Sequence, residues 1–385
     1  MATADSTSLA PVSSAPASIR LFLMVNTFET GGSERQFVVL AQNLSPDKFR
    51  IQLGCIRASG PFAEICGNAP EFRLGGSLFG WRALRARWRL RSHLRQHQVQ
   101  VAHAFDFYTN MTLVPAARLA RVPVVIGSHR QIGDLMTPAQ FRVQLAAFRF
   151  CDAIVCNSHA AANRLVEHGV SREKLVVIGN ALPAEVFATV DPAVPRRPGV
   201  TRVGMVARMN AHYKNHSGFL RIAARIRQQL PNVEFLLAGD GPLRPELEQD
   251  AQNLGLQDSV IFLGDRRDIN AVHASMDVAV LTSDSESLSN VILEAMAVGL
   301  PVVAYRGGGN PELINEQRGM LASPGNEGEF AGAVIALLTQ PMLREQLGGN
   351  ARTFVNEHFS LEQVRNQYQE LYQDLLRRKL GNSFS

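Results

Sequence analysis

Cysteine, lysine and long apolar runs are scarce in this chain of 385 residues. Its four cysteines (Cys55, Cys66, Cys151 and Cys156) are too few for a disulfide framework, and their spacing matches neither a zinc site nor a redox motif. No stretch of about 18 uninterrupted apolar residues occurs, so the sequence predicts no membrane-spanning helix. These absences argue against a secreted disulfide scaffold and an integral membrane protein. We therefore expect a cytoplasmic protein in a reducing environment.

The composition is that of a folded protein, with 46% hydrophobic and 19% charged residues. The length predicts two domains, each large enough to bury its own core. The net charge of +5 is unevenly distributed: residues 19–185 hold 20 Lys and Arg against 11 Asp and Glu, whereas 186–385 hold 19 against 22. The first half is therefore basic and the second slightly acidic, which indicates that the halves meet different partners.

The first 18 residues are rich in Ala, Ser, Thr and Pro, which predicts a disordered tail at 1–18. The apolar stretch that follows is short and contains Arg20. It is typical of a first strand, not of a signal peptide.

Twelve short apolar segments, rich in Val and Ile, alternate with stretches of helical periodicity. Six lie in each half of the chain: 19–26, 49–56, 99–105, 122–129, 153–158 and 174–180, then 201–208, 233–240, 259–265, 277–284, 301–306 and 319–324. Continuous hydrophobicity is typical of parallel strands that are covered by helices on both faces. The pattern predicts an α/β protein with two Rossmann-like, doubly wound parallel sheets.

The domain limits follow from these segments. We expect an N-terminal Rossmann-like domain at 19–185, a linker at 186–200, a C-terminal Rossmann-like domain at 201–360 and a final helix at 361–385 that packs back toward the first domain. The linker prediction rests on three prolines between residues 191 and 200. Parallel sheets bind ligands at the carboxyl ends of their strands, so we expect a site in the cleft between the domains.

The most informative segment is 282–314, where a strand ends near Asp284 and a helix begins after Ser289 or Asn290. Glu286 lies in the intervening loop and Glu294 lies on the helix, eight residues later. Helix N-terminal amides at this place favour a phosphate. A pair of glutamates at this spacing can equally be structural, because Glu is common near helix starts.

The sequence ESLSNVILEAMAVGLPVVAYRGGGNPELI resembles the E-x7-E signature of family 4 glycosyltransferases, which are retaining enzymes of the GT-B fold. GGSERQ (31–36), VGMVARMNAHYKNHSGFL (203–220), AGDGPLRPELE (238–248), FLGDRRDI (262–269) and VIGNALP (177–183) also resemble segments of that family. The resemblance covers about 19–375, nearly the whole chain. It implies a nucleotide-sugar co-substrate, linked to UDP or GDP, and no other cofactor.

The resemblance also implies roles for single residues. Arg208 and Lys214 would contact the donor diphosphate, where cations stabilise the departing negative charge. Lys214 is the sharper signal, because the chain has four lysines but 35 arginines. Glu294 would bind the ribose hydroxyls, and Glu286 would act at the catalytic centre by holding sugar hydroxyls near the reacting carbon.

Further candidates come from the loops around the cleft. Gly31 and Gly32 follow the first strand, where glycine allows close approach to a phosphate, and the resemblance adds donor contacts from Leu288 and Ser289. His103 ends the third strand, where the family commonly places cleft histidines. It is a second catalytic candidate, or else a hydrogen-bonded strand-end histidine.

Asp284-Ser-Glu286 has the form of a metal-binding D-x-D motif, but no further carboxylate or histidine cluster near it completes a metal site. We predict no metal.

Residues 81–97 carry six arginines and no acidic residue, with Trp81, Leu84 and Trp88 at helical spacing. This predicts a basic amphipathic helix. Arg85, Arg89 and Arg91 are candidates for contact with a lipid-linked acceptor or an anionic membrane surface, although the segment can also be a simple crossover helix. Such a basic helix would attract nucleic acid as well, but nothing else in the chain supports base recognition, and we expect no nucleic-acid partner.

We therefore predict a retaining, metal-independent glycosyltransferase that moves a sugar from a nucleotide sugar to a glycan or lipid-linked acceptor, in cell-surface polysaccharide or glycolipid biosynthesis. We expect the second domain (201–360) to bind the nucleotide sugar and the basic first domain (19–185) to bind the acceptor. We expect it on the inner face of the cytoplasmic membrane as a peripheral protein. Two alternatives stay open: a nucleotide-sugar 2-epimerase, and a non-catalytic scaffold that binds glycans or nucleotides on the same fold. The sequence does not indicate the oligomeric state.

Overall fold

The computed structural model describes residues 18–67 and 69–381. The tail expected at 1–18 therefore lies, except for Ser18, outside the described residues.

The first domain is built on a sheet of six parallel strands in the order β2-β1-β3-β4-β5-β6. These strands are β1 (Ile19–Val25), β2 (Phe49–Cys55), β3 (Val101–Ala104), β4 (Val124–His129), β5 (Ala153–Cys156) and β6 (Leu175–Val177). The helices between them are α1 (Gly32–Asn43), α2 (Trp81–Gln96), α3 (Phe107–Ala120), α4 (Pro138–Phe148) and α5 (His159–Glu167).

The second domain repeats this plan with the strand order β12-β11-β10-β7-β8-β9. Its strands are β7 (Thr201–Val206), β8 (Val233–Ala238), β9 (Val260–Gly264), β10 (Val278–Leu281), β11 (Val302–Tyr305) and β12 (Gly319–Ala322). The helices are α6 (His216–Gln229), α7 (Arg244–Asn253), α8 (Ile269–Ala274), α9 (Asn290–Ala297), α10 (Asn310–Leu313), α11 (Glu327–Thr339), α12 (Pro341–Phe359) and α13 (Leu361–Leu380).

Each of these twelve strands falls inside one of the twelve apolar segments. The central strands β3, β4, β5, β8, β10 and β11 are buried at every position, because helices cover both faces of each sheet. The predicted fold class, two Rossmann-like doubly wound domains, is confirmed.

The strand order decides where a ligand can bind. The chain reverses its direction of winding between β1 and β3 in the first sheet, and between β7 and β10 in the second. A crevice opens at such a switch point, at the carboxyl ends of the strands. The loops after β1, β7 and β10 therefore meet between the two sheets.

The final helix α13 packs on the first domain. Its Tyr368 and Tyr372 are buried in a core cluster that contains residues of β1 and β4. The side chain of Gln369 accepts a hydrogen bond from the Ser45 backbone N–H at 3.1 Å, and Lys379 pairs with Asp152 at 2.7 Å. The chain thus leaves the second domain and returns to the first.

The proline-rich segment before β7 is held against the second domain by Arg202, which is 1% exposed. The guanidinium pairs with Glu234 at 2.8 Å and donates to the carbonyls of Val194 and Pro195. The ion pair and the two hydrogen bonds together compensate the buried charge of Arg202.

Among the described residues, no helix combines the length and the hydropathy needed to cross a bilayer.

Candidate active site

A cavity of about 430 Å³ lies between the two domains, at the carboxyl ends of the strands that flank both switch points. The first domain contributes the loops after β1 and β4, and the second contributes the loops after β7 and β10. Seven of the sequence-predicted residues line it: Gly31, Gly32, Arg208, Lys214, Glu286, Leu288 and Ser289. Glu294 does not line the cavity, but its partner Arg35 does.

The two central residues of the cavity contact each other. Nζ of Lys214 lies 2.7 Å from Oε1 of Glu286, and both side chains are largely buried. Lys214 ends a 3₁₀ turn after β7 and lies over the ring of Tyr213. Opposite charges thus lie side by side in a cleft that is partly shielded from solvent, where electrostatic interactions are stronger than in water.

Arg208 bridges the two domains. It follows β7, and its guanidinium donates to the carbonyl oxygen of Thr30 at 2.7 Å and to the hydroxyl of the same residue. Thr30 precedes the glycine pair of the β1–α1 loop. Arg208 is thereby placed beside Gly31 and Gly32.

Glu294 is buried and forms an ion pair with Arg35 of α1, Oε1 to the guanidinium nitrogen, at 2.7 Å. Burial raises the pKa of the Glu294 carboxyl, and the charge of Arg35 opposes part of that shift. The pair joins α9 of the second domain to α1 of the first.

Two helix N-termini face the cavity from opposite domains. α9 begins after Ser289, whose Oγ accepts a bond from the Ile292 N–H, and α1 begins after Gly31. A Cβ on Gly32 would lie 3.2 Å from the side-chain amide of Asn290, so glycine permits the close approach of the two helices. Free amides at these termini favour an anion such as a phosphate.

A glycine loop after β11 supports the backbone of Glu286. Gly309 donates its N–H to the Glu286 carbonyl at 3.0 Å. Gly308 has φ +51°, and a Cβ there would collide with the same carbonyl oxygen. The position of Glu286 therefore depends on residues without side chains.

Sequence reasoning missed several residues of this cavity, including Arg35 and Arg130. Arg130 follows β4 and donates to Oδ1 of Asn180, whose amide in turn donates to Asn290 at 2.7 Å. A charged residue directly after a buried strand was the available signal for Arg130. Asn180 lies in VIGNALP, one of the segments that carry the family resemblance, but nothing in the sequence indicated its partners.

His103 is not in the cleft, contrary to its candidate catalytic role. It is fully buried, with Nδ1 2.8 Å from the Tyr372 hydroxyl and Nε2 2.8 Å from Ser128 Oγ. Burial and the charge of Arg130 lower the pKa of His103 to about 3, so the ring stays neutral. The geometry supports the alternative, a strand-end histidine with both nitrogens bonded.

The basic helix α2 has two different faces. Ala83, Ala86, Leu90 and Leu94 are buried in the core of the first domain, as a crossover helix requires. Trp81, Leu84 and Trp88 are each at least 60% exposed on the opposite face. Arg85 and Arg89 share that exposed face, whereas Arg91 is half-buried and lies over the ring of Trp88.

No group of three or more His, Cys, Asp or Glu side chains within 18–67 and 69–381 has the arrangement of a metal site. The four cysteines are all free thiols.

Comparisons with known proteins agree with this architecture. The family described as Glycosyltransferase Family 4 matches residues 30–186, and the family described as Glycosyl transferases group 1 matches residues 200–340. The two matches cover one domain each.

Three curated relatives illustrate the similarity. The lipopolysaccharide core biosynthesis glycosyltransferase LpsE of Rhizobium meliloti is 32% identical over 63% of this chain and 68% of its own. An α-1,4-N-acetyl-D-galactosaminyltransferase of Campylobacter jejuni, which acts on a diNAcBac-PP-undecaprenol-linked saccharide, is 23% identical over 92% of this chain and 98% of its own. The N-acetyl-α-D-glucosaminyl L-malate synthase of Bacillus anthracis is 37% identical, but the match spans only 39% of its length and 38% of this chain.

Solved structures share the fold across nearly the whole chain. Anabaena Alr3699/HepE, crystallised with UDP and glucose, has a TM-score of 0.80 at 21% identity, covering 92% of this chain and all of the other. Sucrose-phosphate synthase of Thermosynechococcus elongatus has a TM-score of 0.76 at 18% identity, covering 94% of this chain and all of the other. The GT-B fold is thus confirmed, and the chain belongs to the group 1 (family 4) glycosyltransferases.

Proposed function

We propose that this protein transfers a sugar from a nucleotide sugar to a glycan or lipid-linked acceptor, with retention of configuration. The observation that carries the proposal is the interdomain cavity, in which Lys214, Arg208 and two helix N-termini face the same space as Glu286. Cations and free amides suit a diphosphate. The carboxylate suits the hydroxyls of the attached sugar.

In the proposed reaction, the bond between the anomeric carbon and the diphosphate oxygen breaks and the acceptor hydroxyl oxygen bonds to the same carbon. The hydroxyl proton leaves with the nucleoside diphosphate. Lys214 and Arg208 stabilise the negative charge that develops on the diphosphate, and Glu286 holds the sugar while the bond breaks. Retention is proposed from the family resemblance, and NMR of the product's anomeric centre tests it.

The donor is proposed to be a UDP- or GDP-sugar. A thermal-shift screen of UDP-, GDP- and ADP-sugars, followed by an assay of nucleoside diphosphate release, tests this directly. A ligand at 100 times its Kd raises the free energy of unfolding by about 2.7 kcal/mol, which is enough for a measurable rise in the melting temperature. Conversion of the sugar without release would indicate the epimerase instead, and binding without turnover would indicate the scaffold.

Metal independence is proposed because side-chain cations and helix amides already face the space for the leaving group. Activity should then survive excess EDTA. Complete loss on chelation, restored by Mg²⁺ or Mn²⁺, would refute this part of the proposal.

The acceptor is proposed to be a precursor of a cell-surface polysaccharide or glycolipid, because the names of LpsE and the Campylobacter enzyme refer to lipopolysaccharide core and to an undecaprenol-linked saccharide. The exposed face of α2 supports peripheral binding at the cytoplasmic face of a membrane. Arginines there suit anionic headgroups, and exposed tryptophans suit the boundary of the acyl chains.

A further inference from the structure

A second cavity, of about 280 Å³, lies in the first domain beside the donor cleft. It opens at the carboxyl ends of β1, β3 and β4, and it shares three lining residues with the interdomain cavity: Ser33, Arg130 and Gln131. We call it the acceptor pocket. Its volume is just below the usual range of about 300–1,000 Å³ for small-molecule sites, which suits a single sugar ring.

Two buried side chains of the acceptor pocket each have a polar atom without a partner. His129 and Gln144 are both 1% exposed. The side-chain amide nitrogen of Gln144 lies 2.8 Å from Nδ1 of His129. Burial lowers the pKa of His129 to about 4, so the ring is neutral. Since the amide donates to Nδ1, the ring hydrogen is on Nε2.

Neither that Nε2–H nor the Gln144 side-chain oxygen has a hydrogen-bond partner within the described residues. A buried polar group without a partner costs about 1–3 kcal/mol. Two residues that line the pocket thus carry one unpaired donor and one unpaired acceptor, and a hydroxyl group can satisfy both kinds of atom.

The carboxylate of Glu34 adds a further acceptor to the pocket. It forms no ion pair in the part of the chain that the structure describes, and burial raises its pKa. The neighbouring Asp106 is already occupied, since its oxygens accept bonds from the backbone N–H groups of Asn26 and Thr109. Arg130 is also engaged, with Asn180 and the Tyr368 hydroxyl.

We infer that the acceptor pocket binds a neutral, hydroxyl-bearing sugar ring of the acceptor, through Glu34, His129 and Gln144. The inference rests on the proposed function and names the part of the site that function leaves open. A sugar acid is disfavoured, because its carboxylate would face Glu34 in a partly desolvated space.

A neighbouring cavity indicates the direction in which the rest of the acceptor would extend. The pocket shares Asn26 and Tyr108 with a third cavity of about 490 Å³, which is lined by Ile56, Arg57 and the residues Leu74–Leu78 that precede α2. An acceptor whose sugar occupies the pocket would therefore extend toward the exposed face of α2.

The test uses octyl glycosides of glucose, galactose, N-acetylglucosamine and glucuronic acid as acceptor probes, with the donor that the nucleotide-sugar screen identifies. The measured quantity is the release of nucleoside diphosphate above the rate without acceptor. We expect at least one neutral glycoside to accelerate release and the glucuronide to have no effect. Gln144→Met and Glu34→Gln should each raise the KM for that glycoside at least tenfold, while the Kd for the free nucleoside diphosphate changes by less than twofold.

Gln52→Met is the matched control, because the Gln52 side-chain oxygen is also buried without a partner but lies on β2, outside the pocket. Its acceptor KM should match wild type. The inference fails if no neutral glycoside accelerates release, if the glucuronide is preferred, or if Gln144→Met behaves like Gln52→Met. If no nucleotide sugar is bound or consumed at all, the proposed function fails instead.

Discussion

Lys214 and Glu286 form an ion pair in the interdomain cleft, with Nζ 2.7 Å from Oε1. The pair links the loop after β7 to the loop after β10, and it is largely shielded from water. When a nucleotide sugar binds, we expect the lysine to contact the phosphates and the carboxylate to contact the sugar hydroxyls. Removing one charge or the other should therefore affect nucleotide binding differently.

Lys214→Ala should weaken binding of the free nucleoside diphosphate, whereas Glu286→Gln should leave that binding unchanged or tighten it, because the lysine is then free. Loss of a charge-assisted hydrogen bond costs about 1.5–3 kcal/mol, which corresponds to roughly a 10- to 100-fold rise in Kd. Both variants should lower turnover, by about 10²–10³ for Glu286→Gln. Calorimetry and a release assay measure these effects, with the exposed Lys48→Ala as the control. Equal nucleotide affinity in Lys214→Ala and wild type would remove Lys214 from the site.

Gly308→Ala should lower turnover at least tenfold while the protein stays folded. The backbone at Gly308 has φ +51°, and an added Cβ would collide with the Glu286 carbonyl, so the loop that carries Glu286 must shift. Gly307→Ala is a close control, because a Cβ at Gly307 meets nothing within 4 Å. Kinetics and circular dichroism on both variants check this; equal rates for the two would contradict the proposed support of Glu286.

The fold could be predicted from the sequence to an unusual extent, because each strand lies in a short, mainly apolar segment that is separated from the next by a stretch of helical periodicity. The strand β4, for example, is VVIGSH and is buried throughout. The candidate residues on loops after strands, such as Lys214 and Glu286, could also be predicted, because strand ends fix their location at one edge of a sheet.

The partners of those residues could not be predicted. Arg35 meets Glu294 only because the two domains face each other, and no local pattern reports a contact between α1 and α9. The environment of His103 could not be predicted for a similar reason: Tyr372, whose hydroxyl contacts Nδ1 of His103, lies 269 residues away in the sequence. Whether a strand-end histidine faces a cleft or a helix is decided by the helix that returns from the end of the chain.

Acid should destabilise the protein, in part through His273 of α8. This residue is fully buried, and burial lowers its pKa to about 4. Between pH 6.5 and 4 the unfolded chain binds a proton that the folded chain does not, so the free energy of unfolding falls as the pH falls, by up to about 1.4 kcal/mol per pH unit for this group.

Neither ring nitrogen of His273 has a partner within the described residues. His273→Leu should therefore stabilise the protein by about 1–3 kcal/mol at pH 7.5, and by more at pH 5. Urea unfolding at the two pH values measures this, with the exposed His159→Leu as the control. A variant that is less stable than wild type at pH 5 would show that the ring is needed for packing.

The exposed face of α2 should bring the protein to anionic membranes without insertion across them. Each basic residue near an anionic surface contributes about 1 kcal/mol, and Trp81 and Trp88 can enter the headgroup region beside the arginines. Wild-type protein should cosediment with vesicles that contain anionic lipid but not with neutral vesicles. Salt should release it, because the attraction is screened within about 10 Å at 0.1 M ionic strength.

The triple variant Arg85→Gln, Arg89→Gln, Arg91→Gln should lose most of this binding. A second triple variant, Arg172→Gln, Arg267→Gln, Arg378→Gln, removes the same charge from exposed sites elsewhere and should bind like wild type. If both triple variants bind equally, net charge and not the face of α2 governs the attraction; if wild type does not bind anionic vesicles, α2 serves only as the crossover helix between β2 and β3.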